Sequence, residues 1–181
     1  MKLKAYAIFA VTILVAVVLV ACGGESTNEE NASKASETQD IKKMVSDYSV
    51  GNIENQSASI TSQQLIVTES NKSQQVYDLP KNDFFVSIAP YINKTHPCTI
   101  HSLTGCQGEM VEEDFEVYIE DTEGNLILDE TLKSQSNGFI DLWLPRDKTY
   151  RITIAHNGKI KKSEFSTFEN DSTCITTMQL T

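Results

Sequence analysis

From Gln64 to Thr181 the chain is a succession of short runs rich in alternating or apolar residues, each closed by a turn signal. Side chains along a strand point to opposite faces in turn, so this pattern admits strands and leaves little room for helices. "QQLIVTE" and "QQVYDLP" flank "SNKS" as one hairpin, and "FEVYIED" and "LILDETL" flank "TEGN" as another. "DFFVSIAPYI", "GFIDLWL", "YRITIAH", "KKSEFSTF" and "CITTMQL" add five further strands, with "PRDKT" and "NGK" as turns. Many short strands without intervening helices predict a mainly β fold, an antiparallel β-sandwich or partial barrel. Trp143, Phe139, Phe115 and Tyr150 are the expected core aromatics.

The first residues read differently. "MKLKAYAIFAVTILVAVVLVACGG" places two lysines before an apolar run that ends in small residues and a cysteine. That is an export signal over residues 1–21, and "LVAC" has the form of a lipobox with Cys22 as the lipidated residue. The run is short for a membrane span of roughly 20 residues. The expected location is therefore extracytoplasmic, anchored to the cell membrane by lipid. Residues 22–38 contain almost nothing to bury and read as a disordered acidic tether. Residues 39–80 follow as a small helix-plus-hairpin region. Ile41, Met44, Val45 and Tyr48 recur at helical spacing there, Thr38 or Asp40 caps the start, and Gly51 stops the helix. Residues 81–181 form the sandwich-like domain.

Charge excludes one class of partner. The chain carries 15 basic and 25 acidic residues, and Lys2 and Lys4 leave with the signal, which deepens the net charge from −10 to −12. Binding to nucleic acid needs a basic surface that neutralises phosphates, so nucleic acid is excluded as a partner. Asp141 and Asp147 read as solvated strand and turn residues. "DTEGNLILDE" lacks the alternating acidic spacing of a calcium loop and reads as a hairpin turn.

Chemistry concentrates in "HPCTIHSLTGC", residues 96–106, which holds two cysteines and two histidines. One more cysteine, Cys174, lies in the last strand. Three thiols besides Cys22 leave at least one sulfur without an intramolecular partner in an exported protein. If residues 98–106 were one helix, the two cysteines would stand roughly 12 Å apart, and as a strand about 26 Å. Neither unites the sulfurs, so the segment must fold back, and Pro97 and Gly105 permit it. A structural Cys98–Cys106 disulfide with Cys174 as a buried apolar residue is one reading. The other is a site in which Cys98, Cys106 and Cys174 meet His96 and His101. Thiolate with nearby imidazole selects soft ions such as Cu(I) or zinc over magnesium or calcium. The tight C-x2-C spacing of structural zinc sites is absent. Met110 and Met178 are read as core fillers rather than thioether donors.

The stretches "DFFVSIAPYINKTHPCTIHSLTGCQGEM", "SNGFIDLWLPRDKTY" and "FSTFENDSTCITTMQLT" resemble those of the CueP family of extracytoplasmic bacterial copper-resistance proteins. The resemblance implies a copper-binding protein whose metal chemistry is carried by Cys98, Cys106 and Cys174, with His96 and His101 matching the family's histidines. It further implies reduction of Cu(II) to Cu(I), a thiol reductant, and delivery of copper to an accepting enzyme. The lipobox and tether depart from the periplasmic members. On this basis Cys106 and Cys174 are expected to form the central redox pair, with Cys98 as a third sulfur. The competing readings are a thiol–disulfide redox protein, which the missing C-x-x-C weakens, and a structural β-sandwich interaction module.

Overall fold

The computed structural model describes residues 26–181, with side chains from residue 37 onward. The expected signal peptide and the lipidated Cys22 lie outside the described residues. The first element, α1 (Ser26–Ser49), starts within the segment expected to be an unstructured tether. Its residues Val45 and Tyr48 are buried, and Ile41 and Met44 pack beside them, as the helical spacing predicts. Gly51 follows at φ +78°, a conformation that costs glycine little and ends the helix. Among the described residues, no helix is long and apolar enough to cross a membrane.

Among the described residues, eleven strands form three sheets. The first contains β1 (Gln56–Ile60), β2 (Gln64–Glu69), β3 (Gln74–Asp78) and the two-residue β5 (His101–Ser102), in the order β3-β2-β1-β5. The second contains β4 (Asp83–Tyr91), β8 (Ile140–Pro145) and β11 (Cys174–Gln179), in the order β11-β4-β8. The third contains β6 (Asp114–Asp121), β7 (Leu126–Lys133), β9 (Thr149–His156) and β10 (Lys159–Ser166), in the order β10-β9-β6-β7. Both expected hairpins, β2–β3 and β6–β7, are antiparallel pairs. The exception to the antiparallel pattern is β11, which runs parallel to β4.

Strand β4 sits at the centre of the molecule. Phe84, Val86 and Ile88 on one face join Phe115, Val117, Ile119, Tyr150, Ile152 and Ile154 to make the sandwich core. Met110 and Met178 also lie in that core, well placed as fillers. Phe85 points the other way, into a second cluster with Val45, Tyr48, Ile60, Leu65 and Leu103. A strand covered on both faces loses its alternation, which is why "FFVSIA" reads as a continuous apolar run. Ala89, Phe139 and Cys174 make a third, smaller cluster, against which Cys98 and Cys106 pack. Phe139 thus belongs to the cysteine-bearing cluster instead of the sandwich core, and Trp143 is half-buried against Phe85.

Asp141 departs from its expected solvated role. Its carboxylate accepts hydrogen bonds of 2.5 Å from Ser49 at the end of α1 and from Ser87 on β4. Burial pushes its carboxyl above the ordinary range despite these bonds. Lys42 adds a 2.5 Å ion pair with Asp83 and lies over the Trp143 ring. These contacts hold α1 on the middle sheet.

Candidate metal centre

The loop from β4 to β6 carries His96, His101 and two cysteines, and several contacts decide its path. Glu109 accepts from the backbone N–H groups of Ile92 at 2.6 Å and Asn93 at 2.8 Å, closing the two ends of the loop on one carboxylate. These bonds hold its carboxyl down to about 2, against the smaller opposing effect of desolvation. The chain then passes Thr95, whose hydroxyl donates to the Thr176 carbonyl at 2.7 Å and ties the loop to β11.

Residues 101 and 102 pair with β1, His101 facing Ile60 and Ser102 facing Ser59. A tight turn follows: the N–H groups of Gly105 and Cys106 both reach the Ser102 carbonyl, at 3.2 and 2.9 Å. This is the reversal that the spacing of the two cysteines demanded. A side chain at Gly105 would place its Cβ 2.8 Å from the Ser102 hydroxyl. Beyond the turn, Gly108 donates to the Asn137 carbonyl at 2.7 Å and lies flat against Gly138.

The last strand supplies the third sulfur. Thr173 donates its hydroxyl to the Ile60 carbonyl at 2.6 Å and accepts from the His101 N–H at 3.1 Å. One side chain therefore registers β1, β5 and β11 against each other. Cys98 and Cys174 are joined in a disulfide across 76 positions of sequence, with their Cα atoms 5.6 Å apart. Cys106 is a free, half-buried thiol with its Sγ 3.6 Å from the Cys98 Sγ. The bonded pair is thus Cys98–Cys174, and the Cys98–Cys106 bridge that spacing also allowed is not formed. Spacing alone does not distinguish three pairings among three sulfurs that all converge.

His101 is fully buried, its Nδ1 3.4 Å from the Cys174 Sγ and its ring 4.5 Å from that of Phe139. Burial, and after it the nearby His96, pulls its pKa down to about 4, so the imidazole is neutral at neutral pH. Its Nε2 is buried and has no hydrogen-bond partner. Cys98, His101, Cys106 and Cys174 present donor atoms that all lie within 4.8 Å of one another. His96 lies outside this group, its ring 6.3 Å from Phe139, with its own Nε2 also covered and unpartnered. It lines an opening of about 420 Å³ with Lys94, Thr95, Gln107, Gly108 and Glu109. Sequence reasoning missed Glu109 and Thr173. A "T-C" dipeptide at the start of the last strand was the only trace of Thr173.

With the Cys98–Cys174 bond reduced, three sulfurs and a neutral imidazole at one point suit a soft cation, and the unpartnered His101 Nε2 is the kind of buried polar atom that a ligated ion would satisfy. The fold and this pocket define a class: a β-protein built around a sulfur-rich soft-metal centre. Within that class, residues 40–179 match the family described as "Periplasmic copper-binding protein CueP", and the chain belongs to that family. It is also similar to a solved structure named "Crystal Structure of S.CueP", with 33% identity over 88% of this chain and 98% of that one, and a TM-score of 0.74. No curated protein matches the chain.

Proposed function

We propose that this chain is a lipid-anchored extracytoplasmic protein that captures copper, reduces Cu(II) to Cu(I) and holds the reduced ion on cysteine sulfur. The observation that carries the reading is the convergence of three sulfurs and one buried imidazole from distant parts of the sequence. His96 at its opening and His101 inside take Cu(II) first, because imidazole suits that ion, and thiolate retains Cu(I). Two thiolates each give one electron to a Cu(II) ion, their sulfurs join as a disulfide, and two Cu(I) ions result, with the thiol protons released to solvent. A disulfide such as Cys98–Cys174 is then the spent state, and a further round needs two electrons from an external thiol reductant. The Cu(I) product passes to a copper-accepting enzyme. The lipid at Cys22 would keep this cycle at the membrane face.

The test uses the thiol-reduced chain under argon, mixed with Cu(II) and a chromophore specific for Cu(I). The expected result is one Cu(I) for each thiol lost. A Cys98→Ser, Cys174→Ser double variant that still yields Cu(I) at the parent rate would overturn the proposal.

A further inference from the structure

We infer that Cys106 is the nucleophile of an internal disulfide exchange, which displaces Cys174 from Cys98 and leaves the oxidation on the outer pair Cys98–Cys106. The purpose of the exchange rests on the copper reading above. The exchange itself needs no copper.

The geometry selects both the attacking and the attacked sulfur. Among the described residues Cys106 is the free thiol, and its Sγ lies 3.6 Å from that of Cys98, a sulfur of the existing bond. It is half-buried, so it borders solvent. The leaving sulfur is prepared as well. Cys174 is 2% exposed, and the His101 Nδ1 lies 3.4 Å from its Sγ. A neutral imidazole carrying its proton on Nδ1 donates to the departing thiolate, and its Nε2 is then the bare, unpartnered nitrogen found there. The step balances without an added reagent. The Cys106 thiolate forms a bond to the Cys98 Sγ, the Cys98–Cys174 bond breaks, and its electron pair stays on Cys174 as thiolate.

Exchange changes which sulfurs carry the oxidation. Cys98 and Cys174 both border a groove of about 300 Å³ between β10 and β11, lined also by Glu164, Phe165, Ser166 and Thr176, but Cys174 is the more buried sulfur of the two. The existing bond therefore offers an external reductant one half-buried sulfur, and a Cys98–Cys106 bond offers it two. It also returns a thiolate to the buried position beside His101 while the protein is still oxidised.

The experiment is done on the oxidised, detergent-solubilised full chain, free of metal. The protein is held in mildly alkaline buffer, quenched in acid, unfolded in denaturant and labelled there at low pH with a small maleimide, then digested with pepsin and mapped by mass spectrometry. The expected result is label on both Cys106 and Cys174, with the matching Cys98–Cys174 and Cys98–Cys106 bridged peptides. Label confined to Cys106 at all times, or a Cys106–Cys174 bridge, would overturn the inference. In parallel, Cys106→Ser is expected to slow reduction of the disulfide by glutathione severalfold, since without exchange only Cys98 of the bonded pair is half-buried and open to attack. Reduction of that variant at the parent rate would also overturn it. Because no copper is present, either failure leaves the copper reading standing, and failure of the Cu(II) assay leaves the exchange standing.

Discussion

Thr173 shows how much one hydroxyl can decide. It is 1% exposed and serves the Ile60 carbonyl and the His101 N–H together. Valine at this position keeps the shape but strands both backbone groups, and an unpaired buried polar group costs about 1–3 kcal/mol. Thr173→Val is therefore expected to lower unfolding free energy by roughly 2 kcal/mol in a urea titration and to loosen His101. A variant as stable as the parent would mean that the neighbouring groups find other partners. His101 makes a second residue-scale prediction. Imidazole suits Cu(II) and sulfur suits Cu(I), so His101→Ala is expected to slow Cu(II) capture more than it weakens retention of Cu(I) against a competing chelator. Equal losses in both measurements would contradict that division.

At the scale of elements, the loop is held by a charge and by a glycine pair. The Glu109 carboxyl titrates at about 2 in the folded chain against an ordinary value of 4.5. A depressed carboxyl contributes stability that is present above 4.5 and lost as pH falls through about 2. Protection factors for the Ile92 and Asn93 amides, referenced to the unfolded chain at each pH, are expected to fall over that window in the parent. Glu109→Gln should show low protection with no such pH dependence, and a pH-dependent Gln variant would refute the clamp. The glycine pair is tighter still. A Cβ on Gly108 would lie 2.4 Å from the Gly138 carbonyl oxygen, which is backbone and does not swing aside. Gly108→Ala is expected to cost about 1–3 kcal/mol by overpacking and to move Cys106 away from Cys98. The labelling assay for Cys174 would report that movement as a slower exchange.

The legible elements were those whose two faces differ. Both hairpins, β4 and the four later strands fall where alternation or apolar runs placed them. β1 ("QSASI") was hidden because serine and alanine give no contrast between faces, though Ala58 and Ile60 are buried. β5 exists only because His101 and Ser102 meet the edge of β1, a tertiary event that no local pattern records. The early start of α1 was missed because its first half lacks an apolar stripe, and polarity alone reads as tether. For the site, residue types and the need for a reversal were legible, and the fold places Cys98, His101, Cys106 and Cys174 side by side. The bonded pair and the exclusion of His96 depend on where β1 and β11 hold the loop, which spacing does not encode.

Over the whole molecule, the site is a seam. The loop is paired to the N-terminal sheet through β5, tied to the last strand through Thr95 and Thr173, and closed covalently through Cys98–Cys174. That bond spans 76 positions, and the chain-entropy model assigns a closed loop of such length about 4.5 kcal/mol, of which native proteins commonly realise 2–4 kcal/mol. Reduction therefore sets two effects against each other. It frees the sulfurs for metal, and it removes the constraint on the unfolded chain. A ligand that binds only the folded state restores stability by RT ln(1 + [L]/Kd), about 4 kcal/mol when the ligand exceeds its dissociation constant a thousandfold. The expected order in a thermal melt is thus reduced metal-free protein lowest, with the oxidised protein and the reduced Cu(I)-loaded protein both well above it. A Cys98→Ser, Cys174→Ser double variant should melt near the reduced metal-free parent and gain little from either oxidation or Cu(I). Were reduction without metal to leave the melting temperature unchanged, the hydrogen bonds of Thr95 and Thr173 would be holding the seam without the sulfur bridge.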